Sequence, residues 1–361
     1  MTILDDKIAA FFRPEILKLN AYHVPSAEEM VKLDAMENPY HWPPEMVEAW
    51  LDRLRNIRPN RYPDPQPEHL KHALKIHAKV PENMEILLGN GSDEIIQILL
   101  MALAGKPEAT VMTPQPTFVM YQQLAVSLGL KCIGVPLQKD FSLDREAMLS
   151  ALDQYRPQIV FLAYPNNPSG NLFDEKVILE IIDKSPGLVI LDEAYAPFAQ
   201  ASFMERLSQF DNLLVMRTLS KLGLAGLRLG FLAGRRAWLE QLDKLRLPYN
   251  INVLTQITAE FALANAAVFE QQTAQIRSDR TKMYQQLQNL PQVEVFPSAA
   301  NFILFRVPDA DTVFHKLKQQ GILIKNLHPS GGLLTNCLRV TIGTPGENEV
   351  FLTALKTALT P

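Results

Sequence analysis

The chain has 361 residues, of which 47% are apolar and 20% charged, with a net charge of −4 and a pI of ≈ 6.0. That is enough apolar material for a large core and, at about 150 residues per domain, for two domains. No basic stripe exists to neutralise nucleic-acid phosphates, no apolar run reaches the ~18 residues of a membrane span, and the opening "MTILDDKIAAFF" carries acids where a signal peptide needs bases; the chain reads as soluble and cytoplasmic, with neither nucleic acid nor membrane as partner.

In chain order, the Pro-rich breaks "NPYHWPPE" and "RYPDPQPE" set an N-terminal arm apart from the rest of the chain. Next comes a helix carrying His69, His72 and His77; the first two could share a face as metal ligands do, but no third ligand lies nearby at a suitable spacing, so a solvated surface is expected and no metal site. Short apolar or β-branched runs then read as strands: "EILL" (85–88), "TVMT" (110–113), "KCIGV" (131–135), "QIVFLA" (158–163), "GLVILD" (187–192), "NLLVMR" (212–217) and "LRLGFLA" (227–233). Amphipathic stretches such as "DEIIQILLMAL" and "DEKVILEIID" between them are long enough for crossover helices. This alternation predicts an α/β fold, a mostly parallel seven-stranded sheet covered by helices on both faces. From about residue 235 long helices take over, followed by "VEVFPSAANFILFRV", a helix near 310–319, "GILIKNL", "CLRVTIGT" and a last helix from Glu347, which together read as a smaller α+β unit. Cys132 and Cys337 lie too far apart in sequence for a metal or redox motif and read as small hydrophobes.

Ligands of open α/β sheets sit at the carboxyl ends of the strands. Here those ends lead into "GNGSDE", "PQPTF", "YPNNPSG", "DEAY" and "TLSK", so nearly every loop on one edge offers a polar group or an aromatic. Pyridoxal 5'-phosphate accounts for the set. Its aldehyde calls for a primary amine, and Lys221, in the small apolar stretch "TLSKLGLAGLRLG", would lose its proton more readily than a solvated lysine. Its pyridine nitrogen stays protonated only beside a carboxylate, and Asp192 ends a buried strand; a helix cap or a buried ion pair is the other reading of that residue. Its phosphate needs helix-start amides, hydroxyls and a guanidinium, which Ser92, Asp93, Glu94, Ser220 and Arg228 offer, although acids capping a first turn would explain "GSDE" as well. Asn167 and Tyr195 suit the phenolic oxygen, and Phe118 suits the face of the ring, with core packing as its alternative.

In this order the motifs resemble the fold-type I pyridoxal-phosphate aminotransferases over essentially the whole chain, and within them the histidinol-phosphate aminotransferases. The narrowing features are "LDAMENPY", "RYPDP", "GNGSDEII", "YPNNPSG", "LDEAY", "TLSKLGLAGLRLGFLAG", "SAANFILFR" and "CLRVTIGT". The resemblance implies transfer of an amino group from L-histidinol phosphate to 2-oxoglutarate, giving imidazole-acetol phosphate and L-glutamate, in histidine biosynthesis. Lys221 and Asp192 would be the catalytic pair. Tyr62 would reach the cofactor phosphate of a neighbouring subunit in a homodimer with shared sites, and Tyr22, Lys325 and Arg339 would meet the anionic ends of the substrates. The resemblance also implies an arm over residues 1–38, a large cofactor-binding domain over 39–264 and a small domain over 265–361. A threonine-phosphate decarboxylase, a broader or aromatic aminotransferase, and a non-enzymatic cofactor-binding protein on the same fold are the rival readings. Met36 and His41 stand where the family commonly has Asn and Gly, the lysine and the phosphate arginine are one residue closer than in several relatives, and Lys325 stands where many relatives carry arginine, keeping the charge without the planar fork.

Overall fold

A computed structural model describes residues 2–19 and 26–360 of the chain, so Tyr22 lies outside the described residues. The seven expected strands form one sheet: β1 (Glu85–Asn90), β2 (Thr110–Gln115), β3 (Lys131–Pro136), β4 (Ile159–Ala163), β5 (Leu188–Asp192), β6 (Leu213–Thr218) and β7 (Leu229–Gly234). Their order across the sheet is β1-β7-β6-β5-β4-β2-β3, and only β7 runs against its neighbours. Every residue of β4 and β5 is buried, as befits central parallel strands covered on both faces. Pro114 is tolerated in β2 because β4 pairs with that strand only at Val111 and Met112, so the missing N–H falls beyond the shared ladder.

Crossover helices cover the sheet, among them α1 (Ser92–Met101), α2 (Val119–Ser127), α3 (Arg145–Tyr155) and α4 (Glu175–Lys184). Asp144 and Asp174 cap the last two through their side chains. Beyond the sheet come α5 (Arg236–Asp243), α6 (Val253–Ala264) and α7 (Ala266–Gln288), the last two separated by a break at Asn265. A second, four-stranded antiparallel sheet follows, built from β8 (Glu294–Val295), β9 (Phe302–Arg306), β10 (Lys325–Asn326) and β11 (Cys337–Thr341) in the order β10-β11-β9-β8. It packs with α8 (Ala310–Gln319) and with α9 (Pro345–Leu359), which opens two residues earlier than the sequence suggests because Thr344 and Glu347 form a reciprocal capping box around Pro345.

Helix α7 bridges the two cores. Phe269, near its start, packs with the core of the large sheet, whereas Ile276, Met283 and Leu287 pack with that of the small sheet. The arm is held by backbone pairing: Val31 and Lys32 lie parallel to Ile322 and Leu323 in a separate two-stranded sheet, and Leu33 bonds to Leu323 and to Thr341 of the small sheet. The histidine helix, Glu68–Ala78, departs slightly from expectation. His69 and His72 are exposed, but His77 falls one turn after Leu74 on the inward face, beside Arg217, where burial lowers its pKa. Among the described residues no helix is long and apolar enough to cross a membrane, and no group of three or more His, Cys, Asp or Glu side chains could hold a metal ion.

Candidate active site

The carboxyl ends of β1, β2, β4, β5 and β6 open on one cleft, whose lining includes Ser92, Asp93, Phe118, Asn167, Asp192, Tyr195, Ser220, Lys221 and Arg228. Residues separated by more than a hundred positions in sequence meet there because the strands that carry them are neighbours.

Lys221 follows β6 in an irregular helical turn and is partly buried beside the buried Leu222 and Leu224, its ammonium donating to the Ala35 carbonyl at 3.1 Å. Burial, assisted by the positive charges of Arg339 and Arg228, pushes its pKa down to about 8. The lysine that looked out of place in the sequence is therefore partly available as a free base near neutral pH.

Asp192 ends β5 with its carboxylate buried. Tyr121 donates its hydroxyl to Oδ2 at 2.6 Å, and the Ala194 N–H donates to Oδ1 at 3.1 Å. Burial nevertheless raises the carboxyl to about 6, and the negative charges of Asp93 and Glu193 act in the same direction. Such a group gains most from a cationic partner.

An anion cradle lies at the start of α1. Gly91, with φ of +81°, turns the chain out of β1, and α1 begins with no side-chain cap, leaving its first amides to whatever sits before them. Arg228 reaches across, its Nη1 3.3 Å from the Ser220 hydroxyl and its Nη2 3.3 Å from Asp93. This explains why β7 starts at Leu229 and not at residue 227: Arg228 takes a left-handed conformation, φ +50°, that swings its guanidinium toward the cradle. Thr218 accepts from the Ser220 N–H and donates to the Ser220 hydroxyl, fixing the loop that carries both that hydroxyl and Lys221. Glu94 stands apart. Its carboxylate accepts from the Asn90 N–H at 2.6 Å and from the Asn250 amide at 2.7 Å, so the side chain holds the turn and only its backbone remains to serve an anion.

In "NNPSG" the two asparagines divide the labour. Asn166 is wholly buried and ties its own loop together through Thr117, Pro116 and Ser169, whereas Asn167 faces the cleft and accepts from Arg339 Nη1 at 2.5 Å. Arg339 also donates to the Asp34 carbonyl at 3.0 Å and lies over the Phe302 ring. Lys325 is its direct partner across β10 and β11, so both cations stand on the same face of the small sheet; burial and Arg339 together lower the Lys325 pKa. Tyr195 is buried, with its ring edge-on to Phe302.

Tyr62 lies outside the cleft lining, four-fifths exposed and stacked on Tyr249 at 4.5 Å. Sequence reasoning passed over two participants, Tyr121 and the Ala35 carbonyl; Met36, a departure from the family pattern, lines the cleft in a left-handed conformation (φ +53°) pinned by Thr341 and Asn301. Only Tyr121 had a signal, since it lies one helical turn after Phe118 and must share its face. His41 is exposed, and its carbonyl accepts from Gln272.

The sequence matches the family described as aminotransferase class I and II over residues 28–355. It is 56% identical to histidinol-phosphate aminotransferase 2 of Nitrosococcus oceani, covering 97% of this chain and 98% of that one. It is 51% identical to histidinol-phosphate aminotransferase 1 of Ralstonia nicotianae, covering 99% and 96%. A solved histidinol-phosphate aminotransferase from Sinorhizobium meliloti, in complex with pyridoxal-5'-phosphate, superposes with a TM-score of 0.84 at 25% identity, over 97% of this chain and 98% of that one. An L-threonine-O-3-phosphate decarboxylase from Porphyromonas gingivalis, 22% identical with a TM-score of 0.76 over 92% of this chain and all of that one, shares the fold. A partly buried amine, a buried carboxylate and an uncapped helix start on one sheet edge agree with these likenesses: the chain belongs to the class I and II aminotransferases.

Proposed function

We propose that the protein transfers the amino group of L-histidinol phosphate to 2-oxoglutarate, yielding imidazole-acetol phosphate and L-glutamate, with pyridoxal 5'-phosphate as cofactor. The observation that carries the substrate class is the pairing of Arg339 with Lys325 beside Asn167: two cations on one sheet face, adjoining the lysine, suit the carboxylates of glutamate and the phosphate of histidinol phosphate. Relatives of this name at more than 50% identity over nearly their full length support the same assignment.

The residues fit the cofactor group by group. The uncapped start of α1, Ser220 and Arg228 would hold its phosphate, with Ser92, Asp93 and the Glu94 backbone around it; Phe118 would cover the ring; Asn167 and Tyr195 would face the phenolic oxygen; and Asp192 would meet the ring nitrogen. When bound, the cofactor supplies an electron sink beside the substrate's α-carbon. Lys221 would hold the cofactor through its amine, and its Nζ would accept the substrate's α-proton, a task for which a pKa of about 8 is well placed. Asp192 would meet the ring nitrogen with its carboxylate, and Arg339 would anchor an anionic end of the substrate near Lys221.

Tyr62 and Tyr22 would complete the site, Tyr62 from a second subunit, in keeping with its exposure beside Tyr249. The dimer is supported by a solution mass of twice 40.7 kDa and overturned by a mass of 40.7 kDa. We assign residues 1–38 to the arm, 39–264 to the large domain and 265–361 to the small domain, and the enzyme to the cytoplasm. The deciding assay incubates purified protein with L-histidinol phosphate and 2-oxoglutarate and, separately, with L-threonine O-phosphate. Glutamate formed in the first mixture supports the proposal; carbon dioxide from the second without glutamate from the first would replace it with the decarboxylase.

A further inference from the structure

Tyr121 is fully buried, at 0% exposure, on the first turn of α2. Its ring lies flat on Phe161 of β4, with centroids 4.7 Å apart and planes 7° from parallel, and meets Phe118 edge-on at 5.5 Å. A phenol clamped between two rings cannot swing, so its hydroxyl has one fixed direction, and that direction is Asp192 Oδ2 at 2.6 Å. The Ala194 N–H takes a position on the other oxygen. An ionised carboxylate offers about four acceptor positions, and these two contacts narrow which of them remain for the cleft.

We propose that Tyr121 is a positioning residue for Asp192, fixing the carboxylate so that its remaining lone pairs are presented to the ring nitrogen of the cofactor. The inference rests on the reading of Asp192 as the partner of that nitrogen. The choice of side chain is informative. A lysine or arginine at this position would also orient the carboxylate, but it would neutralise the charge that the ring nitrogen requires. A phenol, which burial and the nearby Asp192 keep far above its ordinary pKa, donates one hydrogen bond and stays uncharged. The charged and titratable groups facing Asp192 come from several elements: Asp93 at the start of α1, Tyr121 on α2, Glu193 and Tyr195 after β5, and Lys221 and Arg228 in the connection from β6 to β7. The hydrogen bond from Tyr121 opposes the burial that raises the Asp192 pKa.

The test is equilibrium dialysis of the full-length protein against pyridoxal phosphate from about pH 5 to about pH 9, for wild type, Tyr121→Phe, Asp192→Asn and the double variant. Phenylalanine keeps both ring contacts and removes only the hydroxyl. Losing a hydrogen bond to a charged group moves the acid limb of cofactor affinity upward by about one pH unit, which weakens binding about tenfold on the acid side and little near pH 9. Asp192→Asn lacks this limb, and adding Tyr121→Phe to it changes affinity by less than about twofold, the non-additivity expected of one coupled pair. A Tyr121→Phe limb in the wild-type position, or an equal loss in both backgrounds, would assign Tyr121 to packing alone and overturn the proposal. An Asp192→Asn variant that binds as tightly as wild type at every pH would remove the underlying reading of Asp192, and with it the role of Tyr121.

Discussion

Burial disfavours the charged forms of both Asp192 and Lys221. The unfolded aspartate loses its proton near 3.8 and the folded one near about 6, so in the cofactor-free protein the folded state holds the proton more tightly. Stability therefore falls as the pH rises from about 4 to about 6, and the full penalty, about 3 kcal/mol from a shift of about two units, is present above that window. Asp192→Asn should stabilise the cofactor-free protein to urea by about 1–3 kcal/mol at pH 8 and by close to nothing at pH 4, while weakening cofactor binding. An equal change at both pH values would show that the effect is packing and not charge. Lys221 carries the complementary penalty: its charged form is disfavoured, so its cost is present below about pH 8 and disappears as the pH rises toward 10.5. Most of these residues were legible in the sequence because chemistry demands rare types at strand ends: one lysine in an apolar loop, one aspartate closing a buried strand. Tyr121 was not, because a tyrosine three residues after a phenylalanine reads as core until the strand order places Asp192 opposite its hydroxyl. For Glu94 the sequence left backbone and side chain both open toward the phosphate, since it shows an acid on a first turn but not that Asn250, from a segment more than 150 residues away, takes its carboxylate.

At the scale of elements, the cradle depends on how closely the β1–α1 turn, β7 and Arg228 approach one another. Gly91 holds φ at +81°, and a Cβ there would stand 2.5 Å from Arg228 Nη2. Gly91→Ala combines the strain of a backbone region open essentially to glycine alone (φ +81°, ψ 170°), about 1–3 kcal/mol, with displacement of the guanidinium, and should weaken pyridoxal phosphate binding about tenfold or more with the fold intact by circular dichroism. Unchanged affinity in dialysis would mean that Arg228 does not serve the phosphate. The seven strands themselves were readable within one or two residues, since continuous apolar runs bounded by Gly, Pro and Asn leave little choice. Their order was not readable. That β7 inserts antiparallel between β1 and β6 follows from long-range packing, and it is this insertion that brings Arg228 to Ser220 and Asp93. Likewise, "CLRVTIGT" and "GILIKNL" read as strands, but only their antiparallel register sets Lys325 beside Arg339.

Across the whole molecule, the seven-stranded and four-stranded sheets are joined through α7 and through the arm, and the arm reaches the cleft at Met36. The arm places successive carbonyls, those of Asp34 and Ala35, on Arg339 and Lys221, so a single segment touches both the proposed substrate anchor and the reactive amine. The large sheet supplies the amine, the carboxylate and the anion cradle; the small sheet supplies the two cations. The common focus of these parts is the Nζ atom of Lys221, and the account stands or falls on that atom being the one joined to the cofactor. The most direct measurement is reduction of the cofactor-loaded protein with borohydride followed by peptide mapping. The account predicts one pyridoxyl group per chain, on the peptide containing Lys221; a label on another lysine, or none, would contradict it.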